Sequence, residues 1–183
     1  MSSLKNAINT KYILVTFFAV VASWILHELA HWAMGTMLDY EMSMTLNKTF
    51  PTAGKFNSDK HYQLVSAAGP LFTLIEATAV FFLLQRKKLI LLYPFLFTCF
   101  YMRLFAAIIS IRNPNDEARI SRSIGLGTFT LPVIMVAILF LLIYITSLKN
   151  KLTLKFNFAN LGMVILFSSI IILADQFWKI RLL

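Results

Sequence analysis

Apolar residues gather in five blocks along this chain, roughly Tyr12–Leu38, Tyr62–Leu84, Leu89–Ile111, Ile124–Ser147 and Phe158–Ile180. Each matches the length of about 20 residues that a helix needs to cross the hydrocarbon core of a bilayer. A spanning segment must satisfy its own backbone polar groups, so the pattern predicts five transmembrane helices. Tyr12, Trp32, Tyr40, Tyr62, Tyr93, Tyr144 and Trp178 fall near several of the block ends, where amphipathic rings meet the headgroups. Residues 39–61, between the first two blocks, are polar and carry Pro51 and Gly54. Within them Tyr40-Glu41-Met42-Ser43-Met44-Thr45-Leu46 alternates weakly, which suggests a short membrane-associated strand, with a plain loop as the other reading. No repeat or low-complexity linker divides the chain. The expectation is an all-α membrane protein with one β element after the first helix. It forms a single domain over residues 1–183, with a core at about 12–135 and an extra C-terminal helix at about 158–180.

Composition agrees. The 183 residues are 58% hydrophobic and 14% charged, with a mean hydropathy of +0.73. A soluble core of this size could not hide so many long apolar runs. The single cysteine, Cys99, excludes an internal disulfide and a cysteine-rich zinc cluster, so any metal must use imidazole and carboxylate. The formal charge of +9 is scattered through short loops, as in membrane proteins whose cations set orientation and meet anionic lipid. That argues against a nucleic-acid partner, which needs a clustered basic patch. Lys5 and Lys11 precede the first block like the start of a secretory signal. The block is too long for one and lacks a small-residue cleavage site, so it reads as a retained helix. Lys5, Lys11, Arg86, Lys87, Lys88, Lys149, Lys151 and Lys155 share one side, which puts the N-terminus in the cytoplasm.

The chemistry is concentrated at the far end of the first block, His27-Glu28-Leu29-Ala30-His31. Two imidazoles four positions apart lie on one helix face and can hold a single metal ion. Glu28 beside them can take a proton from a water that the metal activates. Ionisable groups inside a membrane segment are costly, which makes the motif a functional signal. Counting back from Leu38, His31 lies about 10 Å and His27 about 16 Å below the membrane surface. Asn113-Pro114-Asn115-Asp116 follows the third block and emerges on the same side. Asp116 is therefore the first candidate for a third ligand, with Glu117 next and His61 after it; a solvated Asn-Pro turn is the plain alternative. A helix continuing to Ile111 leaves Asp116 near the surface, so the chain must dip back to reach a metal. Gly69-Pro70 interrupts the second block at about 11 Å depth, where it can present backbone groups to a substrate or allow close helix packing. Arg103, near the same depth, could stabilise an oxyanion. A buried pair with Glu76 is the preferred reading, because buried charges need partners. Cys99 and the many Phe and Met residues read as packing.

Ile25-Leu26-His27-Glu28-Leu29-Ala30-His31, Ala68-Gly69-Pro70-Leu71 and Asn113-Pro114-Asn115-Asp116, in this order and helix placement, resemble the site-2 protease family of intramembrane metalloproteases over roughly residues 12–135. The resemblance implies one Zn2+ ion held by His27, His31 and Asp116, with Glu28 as catalytic base and Gly69, Pro70 and Asn113 at the substrate. It implies cleavage of a peptide bond in or beside a transmembrane segment of a membrane-protein or peptide substrate. The lipid bilayer, a regulatory membrane partner and a multi-pass location in a prokaryotic cell membrane go with it. The stretch after Tyr40 resembles the place where the family carries a sheet that pairs with an unwound substrate. Three departures stand out. Thr73 sits near where the family commonly has Asn, and Glu117 follows Asp116 where Gly is typical. The family's site generally faces the cytosol, whereas the loop charges put this one outside. The alternative function is a non-catalytic metal-binding membrane scaffold or regulator derived from such a protease. A third is a membrane zinc hydrolase acting on a small amphiphile.

Overall fold

The computed structural model describes residues 8–86 and 89–183. Lys5, Lys87 and Lys88, three of the cations used for orientation, lie outside the described residues. The elements in order are α1 (Thr10–Met37), β1 (Met42–Met44), β2 (Thr49–Pro51), α2 (Asp59–Arg86), α3 (Tyr93–Ile109, entered through a 3-10 turn at Ile90–Leu92), α4 (Asp116–Ser123), α5 (Thr130–Lys149) and α6 (Leu154–Trp178). The five helices other than α4 are long and apolar enough to cross a membrane, which fits a multi-pass membrane protein. Asn9 caps α1 by accepting from the Tyr12 amide at 2.9 Å, and Thr153 caps α6 through the Phe156 amide at 3.1 Å.

α3 sits in the middle and packs against α1, α2, α5 and α6. Tyr93, Leu96, Met102, Val20 and Val164 form the centre of the core, while Phe18, Ile75, Phe140 and Leu173 face outward. Hydrocarbon does not drive apolar helices together as water does, so packing and polar contacts matter more. Here Tyr12 Oη donates to Asn160 Oδ1 at 2.9 Å and Trp24 Nε1 to Ser168 Oγ at 3.2 Å, tying α1 to α6.

Three elements differ from the sequence expectation. The fourth spanning helix begins at Thr130 instead of Ile124, because Gly125 and Gly127 take φ of +78° and +79° and end the preceding segment in a turn. The residues before it form α4, which hydropathy does not register. The predicted strand is present, shortened to Met42–Met44, and pairs antiparallel with β2 in the register Met42↔Pro51, Ser43↔Phe50 and Met44↔Thr49. The hairpin is anchored on both sides. Met42 fills the notch at Gly35, Trp32 Nε1 donates to the Met42 carbonyl at 3.3 Å, and Asp175 of α6 accepts from the Leu46 amide at 3.0 Å. On the outer edge of β1, Met44 exchanges backbone hydrogen bonds with Leu182 and Leu183 at 2.8 and 3.0 Å.

Glu76 does not pair with Arg103. Its Oε1 accepts from Ser23 Oγ at 2.6 Å, while Arg103 turns to carboxylates of α4. Ser23 is one helical turn before His27, so this polar contact sits just below the histidines.

Replacing Tyr12 with Phe removes the partner of the fully buried Asn160 amide. It should lower the denaturation midpoint in detergent micelles at a cost between about 0.6 and 1.7 kcal/mol, measured by equilibrium unfolding.

Candidate metal centre

His27 and His31 stand one above the other on the face of α1 that meets α2, with ring centroids 4.7 Å apart. Both are buried, and α2 decides how each ring is protonated. The Val65 carbonyl can only accept, so His31 Nδ1, 2.5 Å away, is the protonated nitrogen. The Thr73 hydroxyl donates to the Gly69 carbonyl at 3.0 Å, which leaves its oxygen to accept from His27 Nδ1–H at 3.1 Å. These partners assign the same tautomer to both rings and leave each Nε2 with its lone pair.

The two Nε2 atoms lie 3.2 Å apart, and Asp116 Oδ2 lies 3.5 Å from His27 and 3.4 Å from His31. Three acceptor atoms this close repel one another unless a metal ion or a proton lies among them. The spacing suits a metal, since tetrahedral ligands at about 2.0–2.1 Å from an ion are roughly 3.3–3.4 Å apart. His27, His31 and Asp116 thus form a group that could hold a metal ion. Gly69 makes it possible. It packs directly under the imidazoles, and a Cβ there would fall on His31 Nε2 and His27 Cε1.

Asp116 reaches the histidines because the chain doubles back after α3. The Asn115 amide donates to Ser110 Oγ at 3.1 Å, and α4 then starts at Asp116, lying against α2 and α5. Arg119, one turn on, grips Asp116 Oδ1 at 2.5 Å and leaves Oδ2 facing the rings. Burial works against the charged Asp116 carboxyl, and two guanidiniums offset it, Arg119 on Oδ1 and Arg103 Nη1 at 3.8 Å from Oδ2. Of the other candidates, Glu117 accepts from Arg103 Nη1 at 3.0 Å, and His61 is bonded to Tyr40 Oη at 2.9 Å. Arg103 is buried behind the histidines, with Nη2 at 3.3 Å from His27 Nε2 and Nη1 at 3.8 Å from Asp116 Oδ2.

Glu28 lies beside the metal group and receives a hydrogen bond on Oε2 from Thr49 Oγ1 of β2 at 2.9 Å. Glu28, His31, Asp116, Thr49 and Arg119 all border one cavity of about 240 Å³. A second cavity of about 500 Å³ shares Thr49, Phe50, Phe56, Tyr62 and Arg119 with it and leads outward along β2. Water therefore has a route to Glu28. Gly69 and Pro70 are buried below the rings and Asn113 is exposed beyond α3; none of the three borders these cavities. Thr73 and Arg119 orient His27 and Asp116, and Thr49 orients Glu28; the sequence marks Thr73 only as standing where the resembled family commonly has Asn, and no motif points to either of the other two. Arg119 stands three residues from Asp116, a spacing that signals an ion pair. Thr49 gives no local signal, because only the hairpin brings it to Glu28.

Compared with known proteins, the chain matches no family model, no curated protein and no solved structure.

The crowding at Gly69 predicts that Gly69→Ala displaces the imidazoles and weakens divalent-metal binding by more than about tenfold, with helix content by circular dichroism unchanged. Thr73→Val, which removes the acceptor of His27 Nδ1–H, should weaken metal binding by about tenfold in the same titration.

Proposed function

We propose that this chain is a zinc-dependent intramembrane endopeptidase of the site-2 protease kind, hydrolysing a peptide bond in or next to a substrate's transmembrane segment. One observation carries the reading: His27 Nε2, His31 Nε2 and Asp116 Oδ2 converge beside a carboxylate, Glu28, on a cavity that water can enter. Two imidazoles and a carboxylate suit zinc and leave one coordination position open. When bound, the ion supplies Lewis-acid activation of water and of a carbonyl oxygen.

The chain's own residues supply the rest. Thr49 holds Glu28 through Oε2, which leaves Oε1 to take a proton from the attacking water and return it to the leaving amide nitrogen. Arg119 keeps Asp116 on one oxygen. In the register of the hairpin, the Thr49 amide and carbonyl point away from β1, toward the side where an extended substrate could add as a strand. A cleavable bond must leave its helix to be attacked, and such an edge replaces the backbone hydrogen bonds it loses. Glu28 also separates this reading from a metal-binding scaffold, since a site that only binds needs no base on its cavity.

Glu28→Gln should retain the metal, measured by elemental analysis of the purified protein, and abolish cleavage. The readout is the set of membrane-protein fragments that appear in cells expressing the native chain. Fragments persisting with the Gln variant contradict the mechanism, and lipid products in place of peptide fragments would point to a small-amphiphile hydrolase.

A further inference from the structure

Arg103 is an unusual neighbour for a metal group. It lies on the central helix α3, buried at 5% exposure inside a membrane-spanning segment, and a guanidinium keeps its charge there. Its Nη1 donates to Glu117 at 3.0 Å, and Glu117 is itself buried at 5% exposure. Its Nη2 lies 3.3 Å from His27 Nε2. Nε is buried and has no acceptor among the described residues. The guanidinium is therefore held by one carboxylate and by the ring nitrogen a metal would need, with one of its three nitrogens, Nε, left without an acceptor.

We propose that Arg103 is a built-in cation that competes with the metal ion for the site, and that Glu117 retains it when the ion enters. The inference rests on the metal reading above and concerns how firmly and how selectively in time the site is filled. An imidazole Nε2 with its proton on Nδ1 has a single lone pair. It cannot accept from Arg103 Nη2 and coordinate an ion at once. Metal entry therefore displaces Nη2 from His27, while the Nη1 bond to Glu117 remains.

Charge points the same way. Asp116 Oδ2 lies 3.8 Å from Arg103 Nη1, so the empty site already has a positive group against its anionic ligand. Burying Asp116 and Glu117 without such a group would be strongly unfavourable. Once a divalent ion is present, the same guanidinium stands beside a like charge and weakens its binding. Arg103 thus stabilises the folded site without metal and lowers affinity for the metal. The consequence is a site that stays assembled when empty and exchanges its ion readily, unlike structural metal sites that fold only around the ion.

The test is a competition titration of the detergent-purified full chain with Zn2+ and with Co2+ against a chelator of known affinity. Arg103→Met alone would strand the buried Glu117, so the informative variant is the neutral pair Arg103→Met with Glu117→Gln. Losing the Glu117 anion by itself weakens cation binding, so any gain must come from losing Arg103. The double variant should bind either ion about tenfold or more tightly than the native chain. Its thermal midpoint should rise more on adding metal than the native chain's does. Glu117→Gln alone, which frees Arg103 toward His27, should bind more weakly than the native chain. If the native chain binds metal and the folded double variant binds no tighter, the competition is wrong and the metal reading stands. If the native chain and all variants bind neither ion, the metal reading falls and takes the inference with it. Arg103→Lys keeps the charge on a shorter stem that loses the contact with His27. It should also tighten binding, and affinity equal to the native chain's would overturn the lone-pair competition.

Discussion

The hydrogen bonds from His31 Nδ1 to the Val65 carbonyl and from His27 Nδ1 to Thr73 set which nitrogen of each ring keeps a lone pair. The rest of the centre depends on that choice. With both protons turned toward α2, both Nε2 atoms face the same small space, and Asp116 completes a triangle whose edges match a four-coordinate ion. Neither ring could hold this orientation on α1 alone, since a helix fixes a residue's face but leaves its side-chain torsions free. α2 supplies the constraint through one backbone carbonyl and one hydroxyl. It can come this close because residue 69 has no side chain.

Holding charges at this depth carries a cost that the fold offsets locally. Asp116 and Glu117 begin α4, and two arginines meet them, Arg119 from the cavity side and Arg103 from the core side. The two play different parts. Arg119 is partly exposed, lies over the Tyr62 ring at 5.1 Å and fixes one oxygen of Asp116. Arg103 is enclosed, pairs with Glu117 and touches His27, so its charge would bear on any cation held there as well as on folding. The hairpin works from the opposite side, with Thr49 on Glu28 at its front and Asp175 and Leu183 bonded behind it. The Glu28 carboxylate is thus referenced to a strand that is itself tied to the last helix.

Much of this was legible in the sequence where the information is local. Apolar blocks of membrane length gave five helices, and a four-residue spacing put His27 and His31 on one face. Asp116 was reachable by counting helix directions, which place the ends of α1 and α3 on one side. Depth counting failed for Arg103, because it places residues along the membrane normal and says nothing about their direction around the helix. Glu76 and Arg103 are on neighbouring helices, yet Glu76 meets Ser23 and Arg103 meets Glu117. That last pair exists only because α4 folds back, and α4 is short and polar enough to escape a hydropathy window. The start of the fourth spanning helix was misread for a related reason. Ile124, Leu126 and Phe129 look like membrane residues, while the two left-handed glycines among them form a turn. β2 and its Thr49 were invisible because a three-residue strand is defined by its partner more than by its own pattern.

Every role proposed for this centre requires one metal ion held by His27, His31 and Asp116. X-ray anomalous scattering at the zinc edge, from crystals of the zinc-loaded protein, locates that ion. A single peak is expected within about 2.0–2.2 Å of His27 Nε2, His31 Nε2 and an Asp116 carboxylate oxygen. A peak elsewhere, or coordination that leaves out Asp116, would contradict it.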